Sequence, residues 1–193
     1  ILREDRTKKL GKRDGAKDVL DYKNEGYLPS AIINYLALLG WNPGDEREIF
    51  TREELIEAFD IVRIGHAGPQ MNEEKLNWIN KEHIKKLSTR ELKENIFSYL
   101  PDNLKNEKII PLITERITKW TEINMMINNG ELDFFYKQPE YHKDKLIYKN
   151  TASEKIAKNL TQAVIALEKI SEGEFTSENI KIGELHKIIA MIF

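Results

Sequence analysis

Apolar residues in this chain recur every three or four positions, and no sustained apolar–polar alternation of period two appears. That pattern limits the fold more than any other feature. A helix returns to the same face every 3.6 residues and a strand every two, so these stripes can be buried only by packing helix on helix. The reading is all-α. Ala31, Ile32, Tyr35, Leu36 and Leu39 follow Pro29, which suits a first helical turn, and Gly40 closes that helix. Trp41-Asn42-Pro43-Gly44-Asp45 is a turn by composition. Thr51-Arg52-Glu53-Glu54 is a capping box before Leu55, Ile56 and Phe59. Residues 73 to 86 place Leu76, Ile79 and His83 on one helical face, and the spacing of Trp78 and Trp120 reads as core.

Ser88-Thr89-Arg90-Glu91 is a second capping box and marks a subdomain boundary. Helices are predicted at about 89–99, 107–128 and 131–136. Thr151 or Ser153 then caps a long one, carrying Ile156, Leu160, Ala163, Leu167 and Ile170, that ends at Gly173. A last helix starts at Thr176. The chain has no cysteine, which removes disulfides, thiolate metal sites and a cysteine nucleophile. No apolar run reaches the roughly 18 residues of a membrane span. The chain begins at Ile1 with no signal peptide after it. These features read as a cytoplasmic segment of a longer protein, without a membrane partner.

The formal net charge of -2 argues against a generic polyanion binder. That sum conceals an uneven distribution. Residues 1–17 hold seven basic residues (Arg3, Arg6, Lys8, Lys9, Lys12, Arg13, Lys17) against three acidic ones (Glu4, Asp5, Asp14). Gly11 and Gly15 lie among these cations, and glycine lets backbone N–H groups approach phosphate while lysine adds a mobile point charge. By composition alone the segment is a solvated basic loop.

A second candidate is residues 134–149, where Phe and Tyr interleave with Lys137, Lys143, Lys145 and Lys149. Aromatics beside cations can clamp unpaired bases. Phe134 and Phe135 read as core; Tyr141, Lys143 and Lys145 read either as base contacts or as ordinary surface. His66, His83, His142 and His186 show no metal-ligand spacing, so no metal site is expected.

As a string, the first segment says more. Lys9-Leu10-Gly11-Lys12-Arg13 resembles the second signature loop of class I aminoacyl-tRNA synthetases. Asp14-Gly15-Ala16, Val19-Leu20-Asp21-Tyr22, Glu25-Gly26-Tyr27-Leu28-Pro29 and residues 34–41 then resemble bacterial glutamyl-tRNA synthetases. So do Pro43-Gly44-Asp45, Glu48-Ile49-Phe50, residues 53–59 and Lys75-Leu76-Asn77-Trp78-Ile79-Asn80. Beyond residue 88 the likeness thins to Phe134-Phe135-Tyr136, Pro139-Glu140-Tyr141 and residues 175–180.

The resemblance implies an anatomy. Residues 1–17 would end the catalytic domain and carry the ATP loop, Lys9 to Arg13. Residues 18–87 would be a stem-contact domain, and 88–193 a helical anticodon-binding domain whose second subdomain starts near 147 and is incomplete. The nucleotide-binding fold and the first signature, His-Ile-Gly-His, would lie upstream. The implied reaction is ATP-dependent activation of L-glutamate and its attachment to tRNA. Mg2+ would accompany ATP in the full enzyme, and this fragment, expected to be monomeric, would hold neither tightly nor act alone. Lys12 would stabilise charge on the triphosphate, with Lys9 and Arg13 in support; such donors are worth about 3–4 kcal/mol each. Gly11 replaces the family's usual serine. Whether the tRNA is that of glutamate alone or of glutamine as well stays open. A non-enzymatic helical interaction module is the alternative reading, and it leaves the signature string unexplained.

Overall fold

The computed structural model describes residues 11, 17–65, 68–138, 140, 142, 152–174 and 187. Among them are eight α-helices: α1 (Val19–Asn24), α2 (Pro29–Leu38), α3 (Arg52–Ala58), α4 (Glu73–Lys85), α5 (Thr89–Tyr99), α6 (Ile109–Arg116), α7 (Glu122–Asn128) and α8 (Ser153–Leu167). The described residues contain no strand, only an isolated antiparallel bridge between Trp41 and Ile64. No helix among them is long and apolar enough to cross a membrane. The chain divides into two compact units, with the division after Gln138.

The helix starts follow their capping chemistry. Pro29 opens α2, and both predicted capping boxes form, Thr51 with Glu54 at α3 and Ser88 with Glu91 at α5. Each box satisfies a backbone donor that the first turn leaves free, worth about 1 kcal/mol. Asp18 and Asp21 make a further box at α1.

Three expectations about helix length fail. The span 107–128 is not one helix. Ile117 is extended (ψ 151°), and both the N–H and the hydroxyl of Thr118 donate to the Glu122 carboxylate, at 2.6 and 2.8 Å. A side chain here takes the bonds that a continuous helix would give to backbone. The expected helix at 131–136 is a 3-10 turn at Asp133–Phe135. α8 is capped by Ala152, without a side-chain bond, rather than by Ser153, and it stops at Leu167 rather than near Gly173. Thr151 and the helix expected from Thr176 lie outside the described residues.

The first unit holds three apolar clusters. Tyr27, Ala31, Tyr35, Leu76 and Ile79 join α2 to α4. Trp41, Phe50 and Leu55 close a smaller cluster beside them. Ile84 and eleven residues from Ile96 to Leu132 form the largest. α4 therefore feeds two clusters, Leu76 and Ile79 into one and Ile84 into another.

Trp120 is buried in the largest cluster, but Trp78 is 43% exposed, against the core reading. The buried face of α4 is Leu76, Ile79, Asn80, His83 and Ile84, and Trp78 falls beside that stripe. His83 is buried at Asn34, with its Nε2 3.0 Å from Asn34 Oδ1. That oxygen also accepts from Phe50 N at 2.9 Å, and Asn34 Nδ2 donates to Glu48 O at 3.0 Å. An amide oxygen only accepts, so His83 must carry its proton on Nε2. Burial, and then the charge of Lys86, push the pKa of His83 down.

Candidate nucleic-acid interface

Of the signature loop the structure describes Gly11, which is half-buried. Lys9, Leu10, Lys12 and Arg13 lie outside the described residues, as do Tyr141, Lys143 and Lys145. What the structure does show begins at Lys17.

Lys17, Glu25, Glu73 and Lys119 form a group of four charges. Lys17 Nζ lies 2.8 Å from Glu25 and 3.6 Å from Glu73. Lys119 Nζ approaches the same two carboxylates at 3.7 and 3.9 Å. Each ammonium also sits over a phenol ring, Lys17 over Tyr22 at 5.7 Å and Lys119 over Tyr27 at 5.2 Å. The two rings meet edge to face at 5.7 Å. Burial works against the charge of Lys17, but the bond to Glu25 and the fields of Glu73 and Glu25 outweigh it and hold its pKa above the ordinary value. Burial, then Glu73 and Glu25, push the Tyr27 phenol far above its ordinary range, so it serves as a hydrogen-bond donor, to Asn77 Oδ1. The two carboxylates are shared between Lys17, just before α1, and Lys119 on the α6–α7 connection.

Beside this group the backbone of residues 25–28 is clasped. Gly26 has φ +90°, and a Cβ there would stand 2.8 Å from both Trp120 N and Thr121 N. Only glycine allows that approach. Trp120 N donates to Gly26 O at 3.1 Å, and Thr121 Oγ1 donates to Glu25 O at 2.6 Å. Asn80, fully buried, accepts from Leu28 N at 2.8 Å and donates to Thr118 O. One amide thus joins three segments. Glu25, Gly26, Glu73, Asn80, Lys119 and Thr121 were not singled out as site residues from sequence. The signal was present in the Glu25-Gly26-Tyr27-Leu28-Pro29 string, whose glycine needs a reason.

Phe135 packs against the largest cluster, but Phe134 is 54% exposed, contrary to its core reading. The two rings lie 4.4 Å apart at 31°. Tyr136 is also exposed, its hydroxyl donating to Asp133 Oδ1 at 2.7 Å, and Lys137 pairs with Asp133 at 2.7 Å. Exposed rings beside a lysine form a surface on which a base can stack. His142 is exposed; His66 and His186 lie outside the described residues.

Comparison with known proteins shows what the whole chain is similar to. The family model for class I tRNA synthetases (E and Q), catalytic domain, matches residues 1–78. A glutamate–tRNA ligase of Clostridium botulinum is 38% identical over 186 residues, covering 93% of this chain and 37% of that protein. A glutamate–tRNA ligase 2 of Halorhodospira halophila is 36% identical over 155 residues, covering 78% of this chain and 32% of the relative. The fold resembles the crystal structure of a glutamate tRNA ligase from Elizabethkingia meningosepticum in complex with its amino acid. That match has a TM-score of 0.67 and 29% identity over 97% of this chain and 40% of the other. The glutamate–tRNA synthetase of Elizabethkingia anophelis gives 0.66 and 28%, over 98% and 40%. The chain is thus homologous to glutamate–tRNA ligases over nearly all its own length, and it spans 37% of the length of the botulinum relative.

Proposed function

We propose that this chain is the tRNA-binding part of a glutamate–tRNA ligase, and that it supplies the enzyme's second signature loop. The observation that carries the reading is the order of parts. A cationic string, Lys9 to Arg13, runs directly into a helical body that is homologous to glutamate–tRNA ligases along its length. In the complete enzyme, glutamate would be activated by ATP and passed to tRNA. Lys12 would neutralise charge building on the triphosphate, with Lys9 and Arg13 beside it. The loop's donor set is cationic, so it suits phosphate oxygens rather than the Mg2+ that accompanies ATP. Gly11 offers one backbone N–H and no hydroxyl. Residues 18–87 would contact the tRNA stem and residues 88–193 the anticodon arm. Tyr141, Lys143 and Lys145 are the candidate base contacts read from sequence. Within the first unit, the exposed rings of Phe134 and Tyr136 offer a stacking surface of their own.

The test is Lys12→Ala in the complete enzyme that contains this chain. Glutamate-dependent pyrophosphate exchange should fall by about 100-fold or more, as for loss of a donor aimed at developing charge. Affinity for tRNA should change by no more than about threefold, as for one lost phosphate contact among many. A normal exchange rate would refute the loop assignment.

A further inference from the structure

We propose that the clasp around Gly26 is a rigid joint that holds residues 17–87 and 88–138 in one arrangement, so that a single tRNA meets both at once. Asn80 is its positioning residue. The inference rests on the tRNA-binding reading and goes beyond it by assigning a role to residues that touch neither ATP nor RNA.

Three observations carry it. First, the contacts are backbone-directed and centre on buried residues, Gly26, Asn80 and Trp120, with the bonds themselves part-buried. Asn80 is fully buried and ties Leu28 N to Thr118 O, while Trp120 N and Thr121 Oγ1 bind the carbonyls of Gly26 and Glu25. Buried groups of this kind cannot exchange protein partners for water without loss, so the joint has one good arrangement. Second, Gly26 leaves no gap. Its backbone lies against those of Trp120 and Thr121 closely enough to exclude a methyl group. Third, the rim is cross-braced by charge, Glu25 and Glu73 each facing both Lys17 and Lys119. A joint that only kept the core dry would need none of this polar complement; an apolar contact would serve.

The functional consequence follows from effective concentration. Two weak RNA contacts on one rigid body bind far more tightly than either alone, by about 10²–10⁴-fold where the geometry suits both. Loosening the joint spends that gain while leaving each contact surface untouched.

The experiment compares the wild-type chain with Asn80→Ala against two probes, a full-length glutamate tRNA transcript and its anticodon stem-loop alone. The transcript should bind Asn80→Ala at least about tenfold more weakly, a loss of part of that avidity, and the stem-loop within about twofold of wild type. An unchanged transcript affinity in a folded variant would overturn the proposal, and so would parallel losses on both probes. Because the chain has no cysteine, the joint itself can be read without RNA. Spin labels placed at Glu57→Cys on α3 and Asn124→Cys on α7 should give one narrow distance distribution, broadened by Asn80→Ala. An unchanged width would overturn the rigid-joint claim. If Asn80→Ala does not fold, Thr121→Val removes only the bond to Glu25 O, and the same two readouts apply. Wild-type chain that binds neither probe, with a narrow distance distribution, would refute the tRNA reading and leave the joint without its role.

Discussion

Gly26→Ala tests the joint at its tightest point. Alanine at φ +90° carries the left-handed penalty of about 1–2 kcal/mol. Its methyl would also stand 2.8 Å from two backbone nitrogens, which cannot turn aside as a side chain can. The backbone must part, and the bonds from Trp120 N to Gly26 O and from Thr121 Oγ1 to Glu25 O go with it, at about 1 kcal/mol each. The total is about 3–4 kcal/mol. Two other glycines calibrate it. Gly44 has φ +86°, but its neighbour is the Arg63 guanidinium, which can swing away, so Gly44→Ala should cost only the backbone penalty of about 1–2 kcal/mol. Gly40 has no positive φ and open space around its Cβ position, so Gly40→Ala should be neutral or stabilising by about 0.4–1 kcal/mol. Urea unfolding followed by tryptophan fluorescence reads this cleanly, because Trp41, Trp78 and Trp120 all lie in the first unit. Gly26→Ala should lower the midpoint by at least about 1 M. A midpoint equal to that of Gly40→Ala would refute the account of the joint.

Two further outcomes follow. Burial pushes His83 below its ordinary value of 6.5, so the unfolded chain binds more protons at this site as pH falls; the His83 contribution to stability should be complete above about pH 7 and be lost as pH drops through 6.5 toward the folded value. His83→Gln keeps a donor for Asn34 but cannot titrate, so the difference between the two pH profiles should isolate this slope, and identical profiles would contradict it. The 193-residue chain alone should catalyse no glutamate-dependent pyrophosphate exchange, because the reading places the nucleotide-binding fold outside it; measurable exchange would overturn that division of labour.

The sequence made the local structure legible and left the long-range structure hidden. Pro29, Thr51 with Glu54, and Ser88 with Glu91 marked helix starts because a cap involves residues three positions apart. The break after Arg116 was missed because apolar spacing continues through it, while Thr118 and Glu122 redirect the backbone toward Gly26. Trp78 was misplaced by reading spacing without the stripe that Asn80 and His83 share with Leu76 and Ile79. Buried polar residues do not announce themselves by hydropathy. The candidate loop could be proposed from a string alone, since the chemistry it suggests is local. The joint was not, because Asn80 lies 52 residues from Leu28 and 38 from Thr118, and Thr121 lies 96 from Glu25. Likewise the net charge of -2 argued against an RNA partner until the cations of residues 1–17 were separated from the acidic body.

The central claim is that this chain binds tRNA through its anticodon arm, and the most direct measurement is filter binding of the chain to a glutamate tRNA transcript across a salt series. The account predicts weak binding that falls as salt rises, through release of counterions from the phosphates, and that is lost when the anticodon loop is scrambled. Equal affinity for the scrambled transcript, or binding indifferent to salt, would contradict it.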